Sequence, residues 1–92
     1  MTEAQVWRVE FVEDAARNLR KLGTEAERTI LRYLRQRIAT AEDPRRFGRA
    51  LTSDMQGIWR YRVGDYRIVA AIEDDRFVVL VVTVGHRREV YD

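Results

Sequence analysis

Apolar and polar positions change period twice along the chain. Residues 5–12 alternate, with Trp7, Val9 and Phe11 on one side and Val6, Arg8 and Glu10 on the other, which is the pattern of a strand. From Val12 the apolar positions move to helical spacing, at Val12, Ala15, Ala16, Leu19 and Leu22, and Gly23 supplies a left-handed stop. Thr24-Glu25-Ala26-Glu27 then has the form of a capping box, in which the Thr24 hydroxyl and the Glu27 carboxylate each accept from the other's amide. The helix it opens carries Ile30, Leu34 and Ile38 at four-residue steps, joined by Leu31 and Ala41, and ends before Pro44. Arg28, Arg32 and Arg35 on its other side form an ordinary solvated stripe. So short a break between the helices makes them an antiparallel hairpin. Residues 42–56 read as a polar, arginine-bearing loop. The remainder is strand, over 58–63, 66–73 and 77–84, each rich in β-branched and aromatic residues. The expected architecture is one α+β domain over residues 1–92, in the order β-α-α-β-β-β. An N-terminal helix hairpin packs on one face of an antiparallel sheet.

Gly64-Asp65 fits a two-residue hairpin loop of the type that takes glycine first. Residues whose numbers sum to 129 then stand opposite one another: Val63 with Tyr66, Arg62 with Arg67, Tyr61 with Ile68. Strand alternation puts Trp59, Tyr61, Val63, Tyr66, Ile68, Ala70 and Ile72 on one face, the side the helices must cover. Arg60, Arg62 and Arg67 share the opposite face. Like charges directly across a strand pair destabilise a sheet, so folding alone does not select this arrangement. Three converging guanidinium groups suit a phosphate. The last strand is apolar on both faces, which makes it central or covered on its second side by a partner.

Charge sharpens this picture. Of 17 basic residues only Lys21 is not arginine, and residues 1–43 balance eight basic against eight acidic groups. Between residues 45 and 67 stand six arginines (45, 46, 49, 60, 62, 67) against Asp54 and Asp65, a local net of +4. A bias toward arginine codons would explain the excess but not its clustering. The planar arginine fork fits phosphate oxygens in pairs, so nucleic acid is the first candidate partner, with Arg45, Arg46 and Arg49 as backbone contacts. With no cysteine and one histidine, thiolate metal sites, disulfides and a Cys nucleophile are excluded. No apolar run has the length of a membrane span or the place of a secretory signal, so no membrane is expected and the setting is cytoplasmic.

Trp59-Arg-Tyr-Arg-Val-Gly-Asp-Tyr-Arg-Ile68, followed by Val84-Gly-His-Arg-Arg-Glu-Val-Tyr91, resembles the RelE-type toxins of the RelE/ParE superfamily over nearly the whole chain. The resemblance implies a type II toxin–antitoxin toxin that cleaves messenger RNA in the ribosomal A site through the RNA's own 2′-hydroxyl, without metal or cofactor. It also implies silencing by a cognate antitoxin in a hetero-oligomer. Carried over, Arg60 and Arg62 stand where such toxins often have lysines. Arg67 would steady charge on the phosphate, Arg87 would stabilise the leaving 5′-oxygen, and Tyr91 would stack on a base or orient the 2′-hydroxyl. Arginine does not serve as a general base. His86, the one histidine of the chain, is one candidate for that work, and purely electrostatic catalysis is the other. Two further readings stay open: a ParE-like toxin that inhibits DNA gyrase by protein contact, and a degenerate member that binds ribosomes or nucleic acid without cutting.

Overall fold

The computed structural model describes residues 5–51 and 57–88. β1 (Arg8–Phe11) leads into α1 (Glu13–Lys21) and α2 (Thr24–Tyr33), which runs on through a wider π-type turn, Leu34–Ile38. A 3₁₀ turn (Pro44–Phe47) precedes β2 (Arg49–Ala50), β3 (Ile58–Val63), β4 (Tyr66–Glu73) and β5 (Val78–His86). The sheet order is β1-β5-β4-β3-β2. The α+β class and the helix hairpin on one face are as expected, and β5, apolar on both sides, is an interior strand.

Two details of the sheet differ from expectation. It is mixed rather than antiparallel, because β1 runs parallel to β5, with Arg8 beside Val78 and Phe11 beside Val81. Parallel neighbours need a long connection, and everything between β1 and β5 supplies it. The loop at 42–56 also contributes the short edge strand β2, whose register follows from β3 and is not marked by any alternation of its own. The capping box does not form: α2 begins at Thr24 itself, Gly23 is the cap at φ 98°, and the Glu27 amide donates to the Gly23 carbonyl at 2.9 Å.

Helices and sheet share one core. Ala15, Leu19, Ile30, Leu34 and Ile38 meet Tyr61, Val63, Ile68, Ala70, Ile72, Val79, Val81 and Val84, with Trp7, Val9 and Phe11 closing the β1 side. Leu31, expected inside, is exposed. The β3–β4 register is the anticipated one, Arg62 opposite Arg67 and Val63 opposite Tyr66, turned by Gly64 at φ 59°. Where Val69 pairs Thr83 and Ala70 pairs Val81, Val82 bulges out of β5. The bulge switches which β5 residues face inward, so Val79, Val81 and Val84 all reach the core.

Tyr61 fastens the irregular segment to this core. It is fully buried, and its hydroxyl donates to the Pro44 carbonyl at 2.8 Å. Its ring meets Tyr33 edge-on, centroids 6.5 Å apart. Gly48 lies flat against it: an added Cβ would stand 2.9 Å from Tyr61 Cε1 and 3.2 Å from the Arg60 carbonyl oxygen. Asp43 starts the 3₁₀ turn by accepting the Arg45 amide at 3.0 Å, and that bond holds its carboxyl below the usual range.

Burial, first, and the nearby Tyr33 push the Tyr61 hydroxyl well above its ordinary pKa of 10.0. A raised folded-state pKa means that the stabilisation is complete below the unfolded value, about pH 10, and is lost as pH climbs beyond it. Tyr61→Phe should cost about 1–2 kcal/mol near neutral pH, because the Pro44 carbonyl loses its donor. It should also flatten the decline of stability above about pH 10. Urea unfolding across pH measures both effects; an unchanged alkaline slope would contradict this role.

Candidate nucleic-acid interface

Strand pairing assembles the basic face. β2 and β3 set Arg49 opposite Arg60, and β3 and β4 set Arg62 opposite Arg67. Alternation directs all four to the side away from the helices, since Trp59, Tyr61, Val63 and Tyr66 pack against the core. A pocket of about 180 Å³ opens there, lined by Phe47, Arg49, Arg60 and Arg62. Its side chains are cationic or aromatic throughout, a setting that favours an anion and offers a ring beside it.

Arg67 is across from Arg62 but is not part of this lining. It is only 4% exposed, and its Nη1 donates to the carbonyls of Gly64 at 3.2 Å and Tyr66 at 3.0 Å, so it clamps the β3–β4 turn. Its guanidinium is thus held at the turn, one strand over from Arg62. Arg87 follows β5 at that same turn. Its amide donates to the Asp65 carbonyl at 2.7 Å, and its exposed guanidinium lies 4.0 Å from the Asp65 carboxylate.

Other sequence candidates are placed elsewhere. Arg45 bridges Asp43 at 3.2 Å and Asp74 at 2.5 Å beside the Trp59 ring, on the helix-facing side, where it ties the loop to the β4–β5 turn. Arg46 pairs with Glu42 and lies over the Phe47 ring, 4.3 Å from its centroid. His86 pairs with Tyr66 in register and meets that ring edge-on at 6.1 Å, which puts it on the face opposite the arginine pocket. Its Nδ1 accepts the Arg88 amide at 3.3 Å. Tyr91 lies outside the described residues. Phe47 was not among the sequence candidates; an aromatic between Arg46 and Gly48 in a polar loop was the only signal. Among the described residues no three His, Cys, Asp or Glu side chains gather as a metal site, and no helix is long and apolar enough to cross a membrane.

Helices on one side of a five-stranded sheet and an arginine-lined pocket on the other define a small α+β protein. The chain belongs to the family described as the ParE toxin of type II toxin–antitoxin systems, which it matches over residues 9–91. It is 28% identical to the toxin RelE of Mycobacterium tuberculosis over 91 residues, covering 99% of this chain and 92% of that one. It is likewise 28% identical to the toxin RelG of the same organism, covering 90% and 93%. The fold superposes on the toxin–antitoxin complex RelBE2 of M. tuberculosis with a TM-score of 0.80 at 25% identity, over 95% of this chain and 98% of that one. For the isolated E. coli RelE toxin the TM-score is 0.71 at 25% identity, over 87% and 83%. The resemblance carried by the β3–β4 and C-terminal motifs is thus matched by fold and family.

Geometry separates two arginines that composition treats alike. Removing Arg62 relieves a like-charged cross-strand pair, so Arg62→Ala should leave stability unchanged or raise it by a few tenths of a kcal/mol. Arg45→Ala breaks two partly exposed ion pairs and should cost about 0.5–1 kcal/mol. Urea midpoints of the two variants check this, and the reverse order would contradict it.

Proposed function

We propose that this toxin is a ribosome-dependent messenger-RNA endonuclease acting in the A site. The observation that carries the reading is the pocket of Arg49, Arg60 and Arg62, with Arg67 opposite Arg62 and Arg87 at the adjoining turn. The 2′-hydroxyl at the cut attacks phosphorus and the bond to the 5′-oxygen breaks. This leaves a 2′,3′-cyclic phosphate upstream and a 5′-hydroxyl downstream. Arg60 and Arg62 hold the phosphate, Arg67 adds fixed positive charge behind them, and Arg87 steadies the departing oxygen. Because His86 faces the other way, the arginines act by stabilising charge on the pentavalent phosphorus and by fixing in-line geometry. Tyr91 keeps its proposed role in stacking or orienting the 2′-hydroxyl. The reading requires neither metal nor cofactor and places the protein in the cytoplasm, with the ribosome.

An antitoxin is the second proposed partner, as in the RelBE complexes that share the fold. Its contacting segment is acidic, to match the pocket. Gyrase inhibition is the competing function, favoured by the ParE description of the matched family.

Primer extension on messenger RNA after induction distinguishes the two. Cuts at translated codons are expected, abolished by Arg60→Ala or Arg62→Ala in folded protein and by a 2′-deoxy or 2′-O-methyl sugar at the cut. They should leave cyclic-phosphate ends and persist under chelation when ribosomes are kept intact. Uncut messenger with arrested replication would establish the gyrase reading instead. Toxin and a neighbouring-gene antitoxin should co-purify at moderate salt and separate as salt rises; no association would contradict the acidic partner.

A further inference from the structure

Phe47 is a large apolar side chain outside the core, 37% exposed, in the wall of the arginine pocket. Among the described residues the other exposed large apolar side chains are on other elements: Leu31 on α2, and Val6 and Phe77 beside the starts of β1 and β5. Its position is tightly built. The Asp43 cap, the Tyr61–Pro44 hydrogen bond and the contact of Gly48 with Tyr61 fix the turn that ends at Phe47. Two guanidinium groups lie over the ring, Arg46 at 4.3 Å and Arg37 at 5.3 Å from its centroid. The ring is not among the core residues, and leaving over a third of the side chain in water forgoes burial that an interior position would recover.

We infer that Phe47 is a stacking plate for a nucleobase of the RNA whose phosphate occupies the Arg49–Arg60–Arg62 pocket. The inference rests on reading that pocket as an RNA site. Single-stranded RNA is held by cationic grooves that track the backbone and by aromatic rings on which bases stack, with arginine planes extending the platform. All three components meet here within one pocket wall. Phe47 is therefore a positioning residue: it orients the nucleotide while the arginines carry the phosphate.

The test uses the whole protein and a short 2′-O-methyl oligoadenylate, which cannot be cut, beside a sugar-phosphate chain of equal length without bases. Wild-type protein should bind the base-bearing chain about tenfold more tightly than the abasic one, the scale of a single stacked base. Phe47→Leu, which keeps apolar bulk and removes the π face, should erase that preference, whereas Phe47→Tyr retains it. Arg49→Ala should weaken both chains alike. If Phe47→Leu keeps the tenfold preference, the base stacks elsewhere and the inference fails while the RNA reading stands. If wild-type protein binds neither chain, the inference falls, while primer extension still decides the cleavage reading. If a glutamate-rich peptide of equal charge binds as tightly as the oligoadenylate and Phe47→Leu weakens it, the plate serves a protein segment and the inference is overturned.

Discussion

The hydrogen bond from the Tyr61 hydroxyl to the Pro44 carbonyl is the constraint on which the basic face depends. Tyr61 belongs to the core, yet the group it holds belongs to the loop that carries Arg46, Phe47 and Arg49. With the flat contact of Gly48, it draws that loop under the edge of β3, and β2 can then pair Arg49 with Arg60. Burial holds the hydroxyl in its neutral, donating form. A core tyrosine on the helix side therefore determines the shape of a pocket on the other side of the sheet.

Electrostatics pulls against that framework. Arg49 stands opposite Arg60 and Arg62 opposite Arg67, two like-charged pairs in neighbouring ladders. Each is unfavourable by a fraction of a kcal/mol in the isolated protein. An anion in the pocket of Arg49, Arg60 and Arg62 would offset that repulsion. Arg45 pairs with Asp43 and Asp74, Arg46 with Glu42, and Arg76 with Glu73 and Glu10. These pairs tie loop and turn segments to the fold, as Arg67 does through the Gly64 and Tyr66 carbonyls.

Local patterns carried much of this. A two-residue turn at Gly64-Asp65 sets the β3–β4 register through to Ile58 and Ala71, so the alignment of Arg62 with Arg67 is readable from residue numbers. The helix faces follow from four-residue spacing in the same way. What spacing does not encode is contact across the chain. The parallel partnership of β1 and β5 joins residues about 70 apart in sequence. Asp74 claims Arg45 from 29 residues away, which removes it from the cluster that composition suggested. The bulge at Val82 leaves no mark in a run of apolar residues. Alternation correctly puts Arg67 on the arginine face, but only the folded turn shows that its guanidinium binds the Gly64 and Tyr66 carbonyls.

On the proposed function the anion binds at the pocket of Arg49, Arg60 and Arg62 rather than along the whole basic stretch. The salt dependence of RNA affinity tests it most directly, because each phosphate contact releases bound counterions. The slope of log affinity against log salt should fall by about 1 for Arg60→Ala and again for Arg62→Ala, and should not change for Arg45→Ala. Equal slopes for all three variants would contradict a localised site.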